Sequence, residues 1–204
     1  MSDHQKSKIK NQKLFSLSCV IFAGGKSSRM GQDKSLLPFG DCSSLAEYQY
    51  QRLSKLFDNV YISAKENKFD FDAEIIEDSP SDNLYAPTAG FEAMFKKLED
   101  ERVFVLSVDT PFIGEEEIKV LLENDSSDLD AIIAKTTSGN HPMCGIYHRT
   151  LLPSFETMIK EDNHRLGQLL KVSKTKLVMF ENEEAFANLN HPHEYEEALT
   201  KASR

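Results

Sequence analysis

The sequence has no tryptophan, only three cysteines and no long apolar stretch. An odd number of cysteines without a C-x-x-C pair argues against a disulfide scaffold and a cysteine zinc site, and it favours a reducing cytoplasm. The longest apolar runs, such as residues 19–23, fall far short of the about 20 residues that a membrane span needs. No sustained apolar stretch follows the basic N-terminus, so we expect neither a secretory signal nor a membrane partner.

Positively charged residues are also fewer than negatively charged ones. The chain has 24 lysines and arginines against 33 aspartates and glutamates, which gives a formal net charge of −9. Wholesale binding to a nucleic-acid backbone needs a basic footprint, so we expect no nucleic-acid partner. An acidic protein can still bind phosphates, but only through a local pocket. Hydrophobic residues make up 40% of the 204 residues, which is enough for a core without disulfide bonds.

The chain divides into a short tail and one domain. Residues 1–17 carry four lysines and no clear period, which predicts a flexible basic tail, and residues 18–204 are expected to form a single domain. In that domain, short apolar runs alternate with stretches of helical spacing. We expect strands at residues 18–23, 59–64, 74–78, 102–108, 130–136, 143–148 and 176–181, and helices near residues 44–57, 91–98, 118–122, 151–159 and 192–202.

This alternation predicts an α/β protein with a three-layer, Rossmann-like fold, in which helices cover both faces of a mostly parallel sheet. Ligands of such sheets bind outside the carboxyl ends of the strands. Motifs that follow a strand directly are therefore the first candidates for function.

A glycine-rich segment, residues 22–34 (FAGGKSSRMGQDK), follows the first strand. The paired Gly24 and Gly25 allow a ligand to approach the backbone closely and expose amide donors to an anion. Arg29 and Lys34 add positive charge, one as a planar fork and the other as a point charge. The spacing fits neither the G-x-G-x-x-G fingerprint nor the G-x-x-x-x-G-K-[ST] loop. We therefore predict a different triphosphate cradle, with Arg29 and Lys34 as catalytic cations.

Asp109 lies at the end of the strongest predicted strand, in the string Val108-Asp109-Thr110-Pro111. Mg²⁺ prefers oxygen ligands and is often held by one or two carboxylates together with substrate phosphates. The alternative is an aspartate that caps an Asp-Thr-Pro turn. Because the glycine-rich segment is expected at the same edge of the sheet, we predict that Asp109 is a catalytic metal ligand.

The run AGGKSSRMGQDKSLL at residues 23–37 resembles the signature of the molybdenum cofactor guanylyltransferases, A-G-G-x-S-x-R-M-G-x-D-K-x-L-L. The resemblance extends over about residues 18–200. It implies a nucleotide-diphospho-sugar-transferase-like fold and a Mg²⁺-dependent transfer of GMP from GTP to the phosphate of molybdopterin or Mo-molybdopterin, with release of pyrophosphate. It also implies that molybdoenzymes or other proteins of cofactor biosynthesis receive the product.

The resemblance assigns residues to both substrates. On the nucleotide side it implies contacts from Phe22, Ala23, Gly24, Gly25, Lys34, Ser63, Asp78 and Asp109. On the pterin side it implies contacts from His141, Arg165, Asn188 and Asn190. Relatives usually have leucine in place of Phe22 and a guanine-contacting asparagine in place of Ser63. Structural roles are the alternative on the pterin side: His141 in a turn, Arg165 as an exposed arginine, and Asn190 as a cap of the last helix.

Other functions stay open at this point. Another nucleotidyltransferase of the same fold is the nearest alternative. Sugar-nucleotide enzymes typically have proline before the key lysine, where this chain has Asp33. The sister cytidylyltransferases typically have A-A-G, where this chain has Ala23-Gly24-Gly25. The alternative from another class is a nucleotide-binding regulatory protein without catalysis, although the charged groups named above are all present.

Overall fold

The computed structural model describes residues 13–25, 31–78 and 87–202. Seven strands form one sheet in the order β3-β2-β1-β4-β6-β5-β7. β6 is antiparallel to both β4 and β5, and the other neighbours are parallel. The strands are β1 (Ser18–Phe22), β2 (Val60–Ala64), β3 (Glu74–Glu77), β4 (Arg102–Ser107), β5 (Ala131–Thr136), β6 (Gly139–His148) and β7 (Thr175–Met179).

Helices cover both faces of this sheet. They are α1 (Leu45–Leu53), α2 (Pro87–Lys97), α3 (Glu115–Glu123), α4 (Leu152–Lys160), α5 (Leu166–Val172) and α6 (Pro192–Ala202). Successive side chains of a strand point to opposite faces, so the fully buried β1 contributes to two cores. Cys19 and Ile21 pack with residues of α1, α3 and α6, whereas Val20 and Phe22 pack with residues of α2, α4 and α5. The predicted three-layer arrangement is confirmed.

Several element boundaries differ from the sequence prediction by a few residues, among them those of α1 and β6. α1 ends at Leu53 instead of residue 57, although Phe57 is fully buried. β6 begins at Gly139, so His141 and Pro142 lie within a strand instead of in the turn before it. The cause is a tight hairpin in which β6 pairs antiparallel with β5, with Thr136 opposite Gly139. Gly139 has a φ of 139°, a backbone conformation that glycine adopts readily.

The predicted tail boundary at residue 17 lies too far along the chain. Phe15 donates its amide to the carbonyl of Leu56 at 3.0 Å, and its ring lies 5.2 Å from that of Phe57. Leu17 is buried in the core. Residues 15–17 therefore pack on the domain, because two large apolar side chains there find partners. Residues 1–12 lie outside the described residues.

No helix in the described parts of the chain is long and apolar enough to cross a membrane. All three cysteines are free thiols. Burial raises the pKa of Cys19 and Cys144 far above that of an exposed thiol, which fits the prediction that both are core residues.

Candidate active site

The carboxyl ends of β2, β1 and β4 lie side by side, and their register sets the site. Phe22 at the end of β1 is aligned with Ser63 of β2 and with Ser107 of β4. The pairing continues past β1, because the Ala23 amide donates to the Ser63 carbonyl at 2.9 Å and the Val108 amide donates to the Phe22 carbonyl at 3.0 Å. The start of the glycine-rich segment is therefore held beside the chain that leads to Asp109.

Lys34 and Asp109 form the centre of the site. The Lys34 Nζ lies 2.6 Å from Asp109 Oδ2 and 3.0 Å from Asn190 Oδ1. Asp109 Oδ1 also accepts a hydrogen bond from Ser107 Oγ at 2.6 Å. The side chains of Lys34 and Asp109 are each 15% exposed, so this pair is mostly shielded from water but open on one side. Three groups that are distant in the sequence thus meet at one point.

Lys34 is held in place by Asp33. The Asp33 carboxylate accepts hydrogen bonds from the amide and the hydroxyl of Ser35, at 3.0 and 2.7 Å, and so caps the short turn that carries Lys34. Lys68 lies 2.5 Å from the same carboxylate and also donates to the Ala23 carbonyl at 3.2 Å. Burial alone would raise the pKa of Asp33, but the hydrogen bonds from Lys68 and Ser35 lower it below its ordinary value.

Three cavities make up the candidate site, and the first of them lies over β1 and β2. Its volume is about 130 Å³, and it is lined by Phe22, Gly24, Gly25, Ser63, Lys65, Asp78, Pro87, Gly90, Ser107 and Met143. On its wall, Ser63 Oγ donates to Asp78 Oδ1 at 3.0 Å. A Cβ on Gly90 would lie 2.7 Å from both the Phe22 ring and Ser63 Oγ, so α2 approaches this cavity closely only because residue 90 has no side chain.

Asp78 is the carboxylate of this first cavity. Burial raises its pKa, and the hydrogen bond from Ser63 and the charges of Lys65 and Lys68 oppose that rise. The group is a hydrogen-bond acceptor in the wall of the cavity. Such a site suits a ligand edge that presents N–H donors.

The second cavity joins the first to the Lys34–Asp109 pair. It has a volume of about 120 Å³, and its lining residues are 22–25, 33–35 and 107–109. Phe22, Gly24, Gly25 and Ser107 line both cavities. A ligand that fills both can therefore place an anionic group between the glycine backbone and Lys34.

The third cavity lies on the other side of Asp109. Its volume is about 260 Å³, and it is lined by residues 140–144, by Asn188 and Asn190, and by Ser107, Asp109 and Thr110. The Leu189 amide donates to the Asp109 carbonyl at 2.9 Å, which fixes the two asparagines beside that residue. The cavity is large enough for a second substrate, and it shares Asp109 with the second cavity.

His141 lies in the wall of the third cavity in a constrained position. Its Nε2 is 3.0 Å from Thr136 Oγ1, and its ring packs 4.8 Å from that of Phe186. Burial lowers the pKa of His141, although the charge of Glu183 opposes this effect. The neutral imidazole is favoured, which suits hydrogen bonding to a ligand better than ion pairing.

Most of the predicted site residues lie together, but two do not belong to the assembled group. Arg165 lines a separate cavity of about 370 Å³ between α4 and α5, with Ser154 and Gln168 in its wall. It does not line the third cavity with His141, Asn188 and Asn190, and it directly precedes α5, whose buried leucines share a core cluster with residues of α4. Arg29 lies outside the described residues.

Sequence reasoning missed several residues of the site, among them Ser107, Lys65, Lys68 and Met143. Ser107 could have been found, since it lies two positions before Asp109 at the end of the predicted strand, where alternate residues point to the same side. No pattern in the sequence pointed to Lys65, Lys68 or Met143. Lys65 and Lys68 come from the connection between β2 and β3, where exposed lysines are ordinary.

The donors at the centre suit a hard cation. Among the described residues, no group of three or more histidine, cysteine, aspartate or glutamate side chains forms a protein-only metal cage. Asp109 instead offers one carboxylate and Asn190 one amide oxygen beside an open cavity. A few protein oxygens completed by phosphate and water oxygens are the usual ligand set of Mg²⁺. The residues therefore fit a divalent cation that binds together with a phosphate ligand.

Comparison with known proteins agrees with this geometry. A family model described as the MobA-like NTP transferase domain matches residues 19–177. A molybdenum cofactor guanylyltransferase of Campylobacter jejuni subsp. doylei is 44% identical over 180 residues, which cover 88% of this chain and 94% of that protein. A molybdenum cofactor guanylyltransferase of Helicobacter pylori strain G27 is 34% identical, with 94% and 96% of the two chains covered.

A solved structure shows the same fold. The molybdopterin-guanine dinucleotide biosynthesis protein A of Archaeoglobus fulgidus superposes with a TM-score of 0.78 at 18% identity, over 92% of this chain and 99% of that one. The family model covers more than half of the sequence, and the curated relatives are matched over nearly their full length. The chain therefore belongs to the MobA-like NTP transferase family and is a nucleotidyltransferase.

Proposed function

We propose that this enzyme transfers GMP from GTP to the phosphate of molybdopterin, forms molybdopterin guanine dinucleotide and releases pyrophosphate. The observation that carries the proposal is the row of three adjoining cavities, all lined by Ser107, with Lys34 and Asp109 in the wall of the middle one. A base, a triphosphate and a second substrate each find a compartment there. The names of relatives that are up to 44% identical support the same substrates.

The first cavity suits guanine. Its Watson–Crick edge presents two adjacent N–H donors, and an ionised carboxylate is an acceptor only. In our proposal Asp78 accepts from guanine, and Ser63 holds the carboxylate in position at 3.0 Å. Cytosine offers one amino group at that edge, so it would satisfy Asp78 less well. Ser63 thus replaces a direct base contact with an indirect one.

The second cavity suits the triphosphate. The attacking group is a phosphate that is already anionic at neutral pH, so the reaction needs no general base. The site must instead bring two anions together and stabilise the charge on the leaving pyrophosphate. The backbone amides of Gly24 and Gly25 and the ammonium of Lys34 line the cavity where that charge would lie. Arg29 is proposed to add a further cation.

We propose that Asp109, with Asn190 beside it, holds Mg²⁺ once the nucleotide is bound. When bound, the cation would neutralise phosphate charge that Lys34 alone leaves uncompensated. Lys34 occupies the space between Asp109 and Asn190, at 2.6 and 3.0 Å, and therefore keeps the two oxygen donors together in the protein itself.

The third cavity is proposed to bind the pterin. Amide and imidazole side chains from Asn140, His141, Asn188 and Asn190 line it, and these can donate to and accept from a heterocycle. Arg165 has no part in this cavity. We propose a cytoplasmic location, which fits three free thiols, and transfer of the product to molybdoenzymes or other cofactor-biosynthesis proteins.

A turnover assay tests the proposal. The purified protein is incubated with Mg²⁺, molybdopterin and either GTP or CTP, and products are identified by mass spectrometry. We expect molybdopterin guanine dinucleotide and pyrophosphate from GTP, and at least tenfold less product from CTP, a difference of about 1.4 kcal/mol. Asp109→Asn serves as the inactive control with an intact fold. Equal products from both nucleotides, or none from either, would contradict the proposed substrates.

A further inference from the structure

We infer that Gln49 and Arg52, two neighbours on the buried side of α1, form a positioning unit for the loop that carries Asp109. The inference rests on the proposed function insofar as Asp109 is taken as the metal ligand. Neither side chain lines any of the three cavities. They act from the core side of residues 107–113, opposite the face that meets the substrates.

The Gln49 side chain forms hydrogen bonds to the backbone on both sides of Asp109. Its side chain is fully buried. Its Nε2 donates to the Val108 carbonyl at 3.3 Å and to the Thr110 carbonyl at 3.1 Å, with the Ser107 carbonyl at 3.5 Å. One amide group therefore fixes the residues before and after Asp109. The direction of the Asp109 side chain depends on this stretch of backbone.

Arg52 fixes the orientation of that amide. Its Nε and Nη2 donate to Gln49 Oε1 at 3.2 and 2.5 Å, and its Nη1 donates to the Ile113 carbonyl. A two-pronged guanidinium bound to one oxygen leaves the amide only one way to point, with its NH₂ toward the loop carbonyls. Arg52 also holds the far end of the loop. The unit thus contacts residues 108, 110 and 113.

Packing alone does not explain why a charged arginine is buried here, because burial of its guanidinium costs desolvation free energy. Burial lowers the pKa of Arg52 because it disfavours the charged guanidinium, and the charge of Glu117 opposes this effect. Its hydrogen-bond partners in the described residues are amide and backbone oxygens, and none is a carboxylate. Apolar side chains fill buried space without that desolvation cost. A fixed set of donors under the loop is what the arginine and glutamine add.

The site side of the loop is held independently. The Leu189 amide donates to the Asp109 carbonyl at 2.9 Å, and the Thr110 amide donates to the Ser107 carbonyl at 3.3 Å. The loop is therefore held between α1 and the segment that carries the two asparagines. Loss of the core-side clamp should leave the fold in place and loosen the metal ligand.

Two variants separate this role from simple packing. Gln49→Glu is isosteric, keeps a partner for Arg52, and replaces the donor that faces the loop carbonyls with an acceptor. Arg52→Lys keeps the positive charge but loses the planar guanidinium that donates two hydrogen bonds to one oxygen. Arg149→Lys is the matched control, because Arg149 also donates to three backbone carbonyls, those of Phe95, Leu98 and Asp100. It lies at the opposite end of β4.

Two measurements are made on each full-length variant. The first is hydrogen exchange of the amides in residues 107–113, relative to those of β5. The second is the Mg²⁺ concentration that gives half-maximal stabilisation by GTP. In Gln49→Glu and Arg52→Lys we expect the exchange rate of these amides and the required Mg²⁺ concentration each to rise about tenfold or more. Removal of a group that orients a metal ligand usually weakens metal binding by such a factor. Arg149→Lys should lower the melting temperature and change neither quantity.

The inference is overturned if the loop exchanges in Gln49→Glu and Arg52→Lys as it does in Arg149→Lys. If one of the two variants does not fold, the other decides. If the parent protein is not stabilised by GTP in Mg²⁺, the proposed function fails, and the exchange of residues 107–113 still decides the role of Gln49 and Arg52.

Discussion

Asp78→Asn should change nucleotide affinity and protein stability in opposite directions. The amide keeps the shape of the carboxylate and can still accept from Ser63, whose Oγ lies 3.0 Å away. It loses the negative charge, and it presents an NH₂ where the proposed guanine edge needs an acceptor. We therefore expect weaker GTP binding and a more stable free protein.

The loss of affinity follows from the kind of bond removed. A hydrogen bond to a charged group contributes about 1.5–3 kcal/mol, which corresponds to a fall in GTP affinity of roughly 10- to 150-fold. CTP binding should fall less, because cytosine offers fewer donors at that edge. Calorimetric titration of both nucleotides in Mg²⁺ measures the two losses.

The gain in stability follows from the pKa of Asp78. Burial raises this pKa, with Ser63, Lys65 and Lys68 opposing the rise. The folded state therefore binds the proton more tightly than the unfolded state, and the stability contributed by this group increases as the pH falls through the raised pKa. At neutral pH the ionised carboxylate lowers stability, so we expect Asp78→Asn to gain about 0.5–2 kcal/mol. The gain should shrink as the pH is lowered.

Ser63→Ala is the control, since it removes the donor and keeps the charge. It should raise the pKa of Asp78 further and shift the acid limb of GTP binding to higher pH. Unchanged GTP affinity in Asp78→Asn would show that the base does not reach this carboxylate. A less stable Asp78→Asn protein at neutral pH would refute the argument from burial.

Three further outcomes are expected. Lys34→Ala should lose about 2–4 kcal/mol of transition-state stabilisation, read as a fall in kcat/KM in steady-state kinetics, and a loss below threefold would remove Lys34 from the triphosphate cradle. Gly90→Ala should abolish GTP binding in calorimetry, because the new methyl group meets the Phe22 ring at 2.7 Å, whereas retained binding would mean that α2 can shift. Asp162 has a φ of 52°, so Asp162→Gly should raise the free energy of unfolding by about 1 kcal/mol in urea titrations, and a decrease would show that this conformation carries no strain.

The order of strands and helices and the centre of the site could be predicted from local sequence. β1 and β4 are continuous apolar runs, and the carboxyl ends of parallel strands meet at one edge, so Lys34 and Asp109 were expected to be neighbours. The surroundings of Arg165 depend on how α5 packs, and a resemblance in sequence does not fix that packing, so the cavity that it lines could not be predicted. The role of Gln49 could not be predicted, because a glutamine in an amphipathic helix is interpreted as a surface residue until the loop above it is known.

The meeting of Lys34, Asp109 and Asn190 has a consequence for how the enzyme comes into being. Asp109 and Asn190 lie 75 and 156 positions after Lys34 in the chain. During synthesis the glycine-rich segment leaves the ribosome long before its partners, and contacts of such high sequence separation form slowly. A nascent chain therefore cannot complete the proposed metal and phosphate site until residue 190 has emerged. Use of the nucleotide has to wait until that long-range contact forms.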